Sequence, residues 1–201
     1  MFIFSFIALL PFVLAQDFPN PLSYYVNNKV LVDGSYKIYW NYTKFDIIGE
    51  IHVKTIGWIG FGISPNGGMA GSDVFVAWID SNGLTNFTDR HITSDRRVLV
   101  DNEQNWFLLG SLKSNGFTII KFTRKIETCD AYEQDLTIPM GTVRVILAWN
   151  DQLPAKNGDI SYHGFNNRAT RSLLLLNSLN QELKIASEDA LETYSFTVNV
   201  R

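Results

Sequence analysis

Met69 and His163 are the two side chains whose chemistry is least explained by their neighbours. Met69 sits in "GWIGFGISPNGGMAGSDVFVAWID", between Gly57 and Asp80, in a turn among glycines that give its thioether nothing to pack against. His163 sits in "GDISYHGFNNRATRSLLLL", a polar loop just before an apolar strand. A thioether and an imidazole form an axial pair for low-spin haem in electron-transfer sites, the thioether raising the potential. The same two residues also suit a cap on the edge of a core and a loop histidine bonded to a carbonyl. From the residues alone both readings stay open.

Little else in the chain has the spacing of a reactive site. His52 shares a strand face with Glu50 and Lys54 in "EIHVKT", which predicts a solvated strand residue, and His91 follows a strand end in "TDRHIT". There is no His-x-His, His-Glu-x-x-His, cysteine cluster or serine nucleophile elbow. Asp80-Ser81-Asn82-Gly83 begins like a calcium loop, but the later ligands are missing and a hairpin turn accounts for it. Trp58, Trp78 and Trp149 are candidates for a stacking platform, although core burial is the commoner fate of such residues.

The elements that must position these residues are strands. Asn-Gly, suited to tight hairpins, occurs at Asn66, Asn82, Asn115 and Asn157. Between the turns lie strand-like segments such as "SYKIYWNYT", "DVFVAWI", "NWFLLGSLK", "GFTIIKFTR" and "TVRVILAW". Nine to ten short strands without an amphipathic helix before residue 180 predict an all-β sandwich. The content of 46% hydrophobic and 18% charged residues is that of a globular domain, and the net charge of −3 with no basic run excludes a nucleic-acid or anionic-membrane surface. Residues 1–15 have the shape of a signal peptide, and no later segment is apolar and long enough for a membrane helix, so a secreted chain is expected. The sequons at Asn41 and Asn86 fit that compartment. A single cysteine, Cys129, is either a thiol awaiting a partner or a buried inert one.

Taken in order, "GWIGFGISPNGGMAGSDVFVAWID", "DRH", "DNEQNWFLL", "FTRKIETCD" and "YHGFNNRATRSLLLLN" resemble the DOMON domain. The nearest likeness is the N-terminal DOMON domain of DBH-like monooxygenases, relatives of dopamine β-hydroxylase. The resemblance runs from about residue 21 to 177, leaving 178–201 as a linker or tail. It implies a β-sandwich from a secretory, ascorbate-dependent copper monooxygenase family whose copper is held by further C-terminal domains. Those domains are not in this sequence, and three scattered histidines do not replace their ligands. The resemblance therefore implies an accessory, assembly or ligand-binding module that is not catalytic alone, with a second copy or copper domains as partners. The chain is expected to be a truncated isoform, an incomplete gene model or a stand-alone module. The cysteine of "TCD" pairs far downstream in the family, so Cys129 is expected to be unpaired here. Haem-binding DOMON domains use a methionine after the glycine-rich turn and a later histidine, which Met69 and His163 match, implying haem b. The hydroxylase branch implies instead a small cation such as calcium at Asp73, at the carbonyls of Val74 and Arg90, and at Asn105, where the family carries an aspartate.

Overall fold

A computed structural model describes residues 17–156 and 158–177, so the leader at 1–15, Asn157 and the tail at 178–201 lie outside the described residues. Eleven strands are present among those described: β1 (Asn27–Val32), β2 (Tyr36–Tyr42), β3 (Asp46–Val53), β4 (Trp58–Ser64), β5 (Asp73–Ile79), β6 (Thr85–Ile92), β7 (Val98–Val100), β8 (Trp106–Ser114), β9 (Phe117–Lys125), β10 (Gly141–Asn150) and β11 (Arg168–Leu176). They form two antiparallel sheets, ordered β1-β2-β3-β9-β8 and β11-β10-β4-β5-β6-β7. The all-β sandwich expected from the sequence is what the chain forms.

The eleven strands are one or two more than the nine to ten expected. β1, "NNKVLV", is a polar edge strand whose middle residues are exposed, and β7 has only three residues, so neither carries a clear alternation. The hairpin signals divide in a similar way. Asn115 and Gly116 both take positive φ, 51° and 78°, as a two-residue type I′ turn requires. At Asp80-Gly83 only Gly83 does, and the Asp80 carboxylate caps the turn by accepting from the amides of Asn82 and Leu84.

The core lies between the sheets, where alternate residues point inward. Ile59, Phe61 and Ile63 of β4 meet Phe75 and Ala77 of β5, Val143, Val145 and Leu147 of β10, and Ile120 and Phe122 of β9. Its centre is aromatic: Phe75 stands 5.3 Å from Trp106 and 5.0 Å from Phe122, ring centre to ring centre. β4 and β5 are buried along their whole length. They are central in their sheet and their outer face is covered as well, which is why they read as unbroken apolar runs.

His52 departs from expectation. It is wholly buried, not solvated, and its Nε2 lies 2.6 Å from Glu50 Oε1. The chain before β1 folds over this face of the first sheet: the Leu22 amide and the Tyr25 hydroxyl both donate to the Glu50 carboxylate, and Tyr25 packs on Tyr39. The strand pattern places Glu50 and His52 correctly on one face, but it carries no sign of the segment that covers them.

Candidate functional site

β5 separates two sites. Asp73 and Phe75 point into the sandwich, whereas Val74 and Val76 point out of it.

On the outer side lies a cavity of about 750 Å³. Its floor is the outer face of the second sheet: Trp58 and Gly60 of β4, Val74 and Val76 of β5, Ile146 and Ala148 of β10. The β4–β5 loop brings Met69 to it from one end of the strands, and the β10–β11 loop brings Ile160, Tyr162 and His163 from the other. The turn chemistry holds the first loop: Ser64 Oγ accepts from the Gly67 amide and donates to the Gly68 carbonyl, while Thr170 Oγ1 of β11 reaches the Gly67 carbonyl at 2.6 Å. His163 is buried, and its Nδ1 lies 2.6 Å from the carbonyl of Gly164. A carbonyl only accepts, so Nδ1 is the donor, and in the neutral ring Nε2 is the atom that carries the lone pair a metal ligand needs. Trp58 is fixed by its Nε1 donating to Ser161 Oγ at 3.2 Å.

On the inner side lies a group of carboxylates. One oxygen each of Asp73, Asp89 and Asp135 come within 4.8 Å of one another. Asp73 is fully engaged: it accepts from Trp106 Nε1 at 2.6 Å and the Leu136 amide at 2.9 Å, and it pairs with Arg124, both side chains being wholly buried. Arg124 also donates to the Leu136 carbonyl at 2.6 Å and lies over the Trp106 ring. Asp89 is otherwise placed. Its Oδ2 accepts from the amides of Asn105 and Trp106, but its buried Oδ1 has no partner among the described residues, nor does Asn105 Nδ2. Burial, together with the charges of Asp73, Asp101 and Asp135, pushes Asp89 up to about 8 despite the Asn105 amide, and burial beside Asp73 pushes Asp135 up to about 6. Burial also raises Asp73, against the pull of Arg124.

The residues expected from the sequence therefore fall into two groups. Met69 and His163, distant in sequence, line one cavity. Asp73 and Asn105 stand at the carboxylate group, and Val74 and Arg90 are register partners on β5 and β6, with the Val74 side chain on the cavity side. Sequence reasoning missed Asp89 and Asp135, the former in "TDRH" and the latter in "EQDL"; only the fold shows that they converge with Asp73. Cys129 is exposed on the loop after β9. The Asn41 amide ties down the chain before β1, donating to the Tyr24 carbonyl, and Asn86 lies opposite Trp78 on β6. The remaining histidines have separate partners, His52 with Glu50 and His91 with Asp101 at 2.6 Å. Trp149 is a core residue packed on Tyr36, and Trp78 is buried beside Trp58.

The sequence matches the family model of the DOMON domain over residues 32–150. The chain belongs to the DOMON family. It is similar to DBH-like monooxygenase protein 1 of Mus musculus, 35% identical over 171 residues, which is 85% of this chain and 27% of that protein. The Homo sapiens protein of the same name is 34% identical over 72% of this chain and 23% of its own length. MOXD1 homolog 2 of Drosophila melanogaster is 35% identical over 61% of this chain and 16% of its own length. The DOMON chain thus spans about a quarter or less of these relatives. In fold it is similar to the cytochrome domain of Myriococcum thermophilum cellobiose dehydrogenase, with a TM-score of 0.57 and 14% identity over 81% of this chain and 85% of that one. The cytochrome b domain of Coprinopsis cinerea pyranose dehydrogenase matches with a TM-score of 0.51 and 17% identity, covering 69% of this chain and 75% of that one.

Proposed function

We propose that this DOMON domain is a cofactor-holding module and that the outer cavity would receive haem b, with Met69 and His163 as the residues that would hold it. One observation carries the reading. Two loops from opposite ends of the second sheet bring a thioether and an imidazole to the same apolar cavity, and the imidazole has its Nδ1 committed to a carbonyl. The cytochrome domains similar in fold support the choice of ligand. Haem in such a site supplies one-electron transfer. The chain's own residues supply the rest. Val74, Val76, Ile146 and Ala148 exclude water from the floor, and the Gly164 carbonyl sets the tautomer and orientation of His163.

Within a DBH-like polypeptide such a module serves as an accessory to the copper domains rather than as a copper centre. The leader-like segment 1–15 and the sequons at Asn41 and Asn86 support a secretory location. The test is an absorption spectrum of the chain titrated with haem b and reduced with dithionite. The expected result is a sharp Soret band with split α and β peaks, lost in Met69→Leu and His163→Gln. A spectrum of loosely associated haem, identical in both variants, ends the reading.

A second reading concerns the inner carboxylates and rests on the unpartnered, buried Oδ1 of Asp89. A hard cation such as calcium would give that oxygen a partner, with Asp135, the Asn105 side-chain oxygen and main-chain carbonyls of Val74 and Arg90 as the remaining candidate ligands. Asp73 is a less available ligand than the sequence suggested, because Trp106, Arg124 and Leu136 already use it. Titration of chelator-treated protein with calcium, followed by thermal melting, decides it. A rise in melting temperature supports the site, and an unchanged one removes it.

A further inference from the structure

The outer cavity has an apolar floor but a charged mouth of one sign. Two arginines, Arg96 and Arg168, line it, and no acidic residue does so among the described residues. This is notable in a chain of net charge −3.

Among the described residues neither guanidinium has an acidic partner. Arg96 lies in the β6–β7 turn, where its neighbour Asp95 is already taken by Arg97 Nε at 2.8 Å and by the Thr93 hydroxyl. Its backbone φ is 69°, a left-handed conformation that side chains other than glycine, asparagine and aspartate adopt rarely. The turn holds this conformation through the Arg96 amide donating to the Thr93 carbonyl at 2.9 Å. Arg168 opens β11, its guanidinium 5.8 Å from the centre of the exposed Phe165 ring. Arg96 comes from the strand end that carries Met69, and Arg168 from the end that carries His163.

Accepting the proposed reading that this cavity binds a ligand, we infer that the ligand is an amphipathic carboxylate. Its apolar body rests on Val74, Val76, Ile146 and Ala148, and its acidic groups are met by Arg96 at one end of the strands and Arg168 at the other. Carboxylate recognition by a guanidinium is charge-assisted and directional, and a neutral ester of the same shape forgoes it.

The experiment compares haem b with its dimethyl ester, which keeps the macrocycle and removes both negative charges. Each is titrated by absorbance into the wild-type chain and into Arg96→Gln/Arg168→Gln. The wild type is expected to prefer the free acid by about tenfold or more, the preference shrinking in high salt and vanishing in the double variant. Acid and ester bound within about twofold by the wild type, or a preference that survives in the double variant, overturns the inference while leaving the haem reading intact. If neither compound binds the wild type, the haem reading fails. The carboxylate inference is then decided by laurate against methyl laurate, read from Trp58 fluorescence: selective binding of laurate upholds it, and equal or absent binding ends it. Both arginines are exposed, so unchanged thermal melting verifies that the double variant folds.

Discussion

The two faces of β5 hold opposite kinds of site. On the outer face an apolar cavity is lined by a thioether, Met69, and an imidazole, His163, with Arg96 and Arg168 as its charged lining residues. On the inner face stand four aspartates, Asp73, Asp89, Asp101 and Asp135, with the Arg124 guanidinium and the His91 ring beside them; burial and then neighbouring carboxylates raise Asp89, Asp101 and Asp135. The walls of the outer cavity are sheet faces and loops closed by their own hydrogen bonds. The inner arrangement is part of what keeps the sheets together, because Asp73 of one sheet reaches Trp106 and Arg124 of the other. Haem uptake and the tie between the sheets should therefore separate by face.

The sharpest way to break that contrast is Asp73→Ala. It leaves Arg124 buried without its counter-charge and Trp106 Nε1 without an acceptor, and removal of one partner from a buried pair costs about 3–5 kcal/mol. Denaturant unfolding should show a loss of this size, with haem uptake at the outer cavity affected only through stability. A loss below about 1 kcal/mol would mean that the pair is not a tie between the sheets.

The aspartates also predict a pH dependence of unusual sign. Asp89 and Asp135 are raised above their unfolded values, to about 8 and about 6, so the folded chain holds protons that the unfolded chain releases. Stability conferred by these groups is fully present below about pH 4 and falls as pH rises toward their folded values. In cation-free protein the melting temperature should drop across that window. Calcium should restore it at pH 7.5 more than at pH 5, by up to about 2.7 kcal/mol at a hundredfold excess over Kd. Asp89→Asn should stabilise the cation-free protein near pH 7.5 and remove the calcium response. A calcium response that persists in Asp89→Asn would place the cation elsewhere.

How much of this was legible in the sequence differs between the faces. On the outer side Met69 and His163 stood out because a methionine among glycines and a histidine in a polar loop have no packing duty, and the fold brings both to one cavity. Asp73 and Asn105 were found only through a family likeness. Asp89 and Asp135 were not found, since aspartates in "TDRH" and "EQDL" look like ordinary strand-end and turn residues until the sheets close. His52 failed for the same reason in reverse: a strand face that alternates polar residues is solvated only if nothing folds over it. Local patterning reports which way a side chain points, whereas what lies opposite comes from contacts distant in sequence.

A smaller effect on stability sharpens the outer half of the comparison. Met69→Leu keeps volume and apolarity, and His163→Gln keeps a polar side chain in the loop, so each should shift stability by less than about 1.5 kcal/mol while abolishing the haem spectrum. Thermal melts and haem titrations on the same samples measure both. A large fall in melting temperature would make these residues structural pieces of the loops rather than ligands.

The smallest effect on the fold is expected at Gly60, at the centre of the cavity floor. A Cβ built there meets only ordinary contacts, 3.5 Å from the Trp58 ring and 3.8 Å from the Ala148 carbonyl, and points into the cavity. Two residues along the same strand face, a Cβ at Gly62 would lie 2.1 Å from the Asp73 carbonyl, where the backbone leaves no room. Gly60→Val should therefore leave stability within about 1 kcal/mol, as the β-branched side chain suits the strand and offsets the new contacts. It should also weaken haem uptake by more than about tenfold, because methyl groups occupy the floor on which the ligand lies. Gly62→Val should instead destabilise the sandwich itself. Equal stability losses in the two variants would show that the floor is packed against something other than a ligand, whereas a folded Gly60→Val chain that no longer binds would locate the ligand against the outer face of β4.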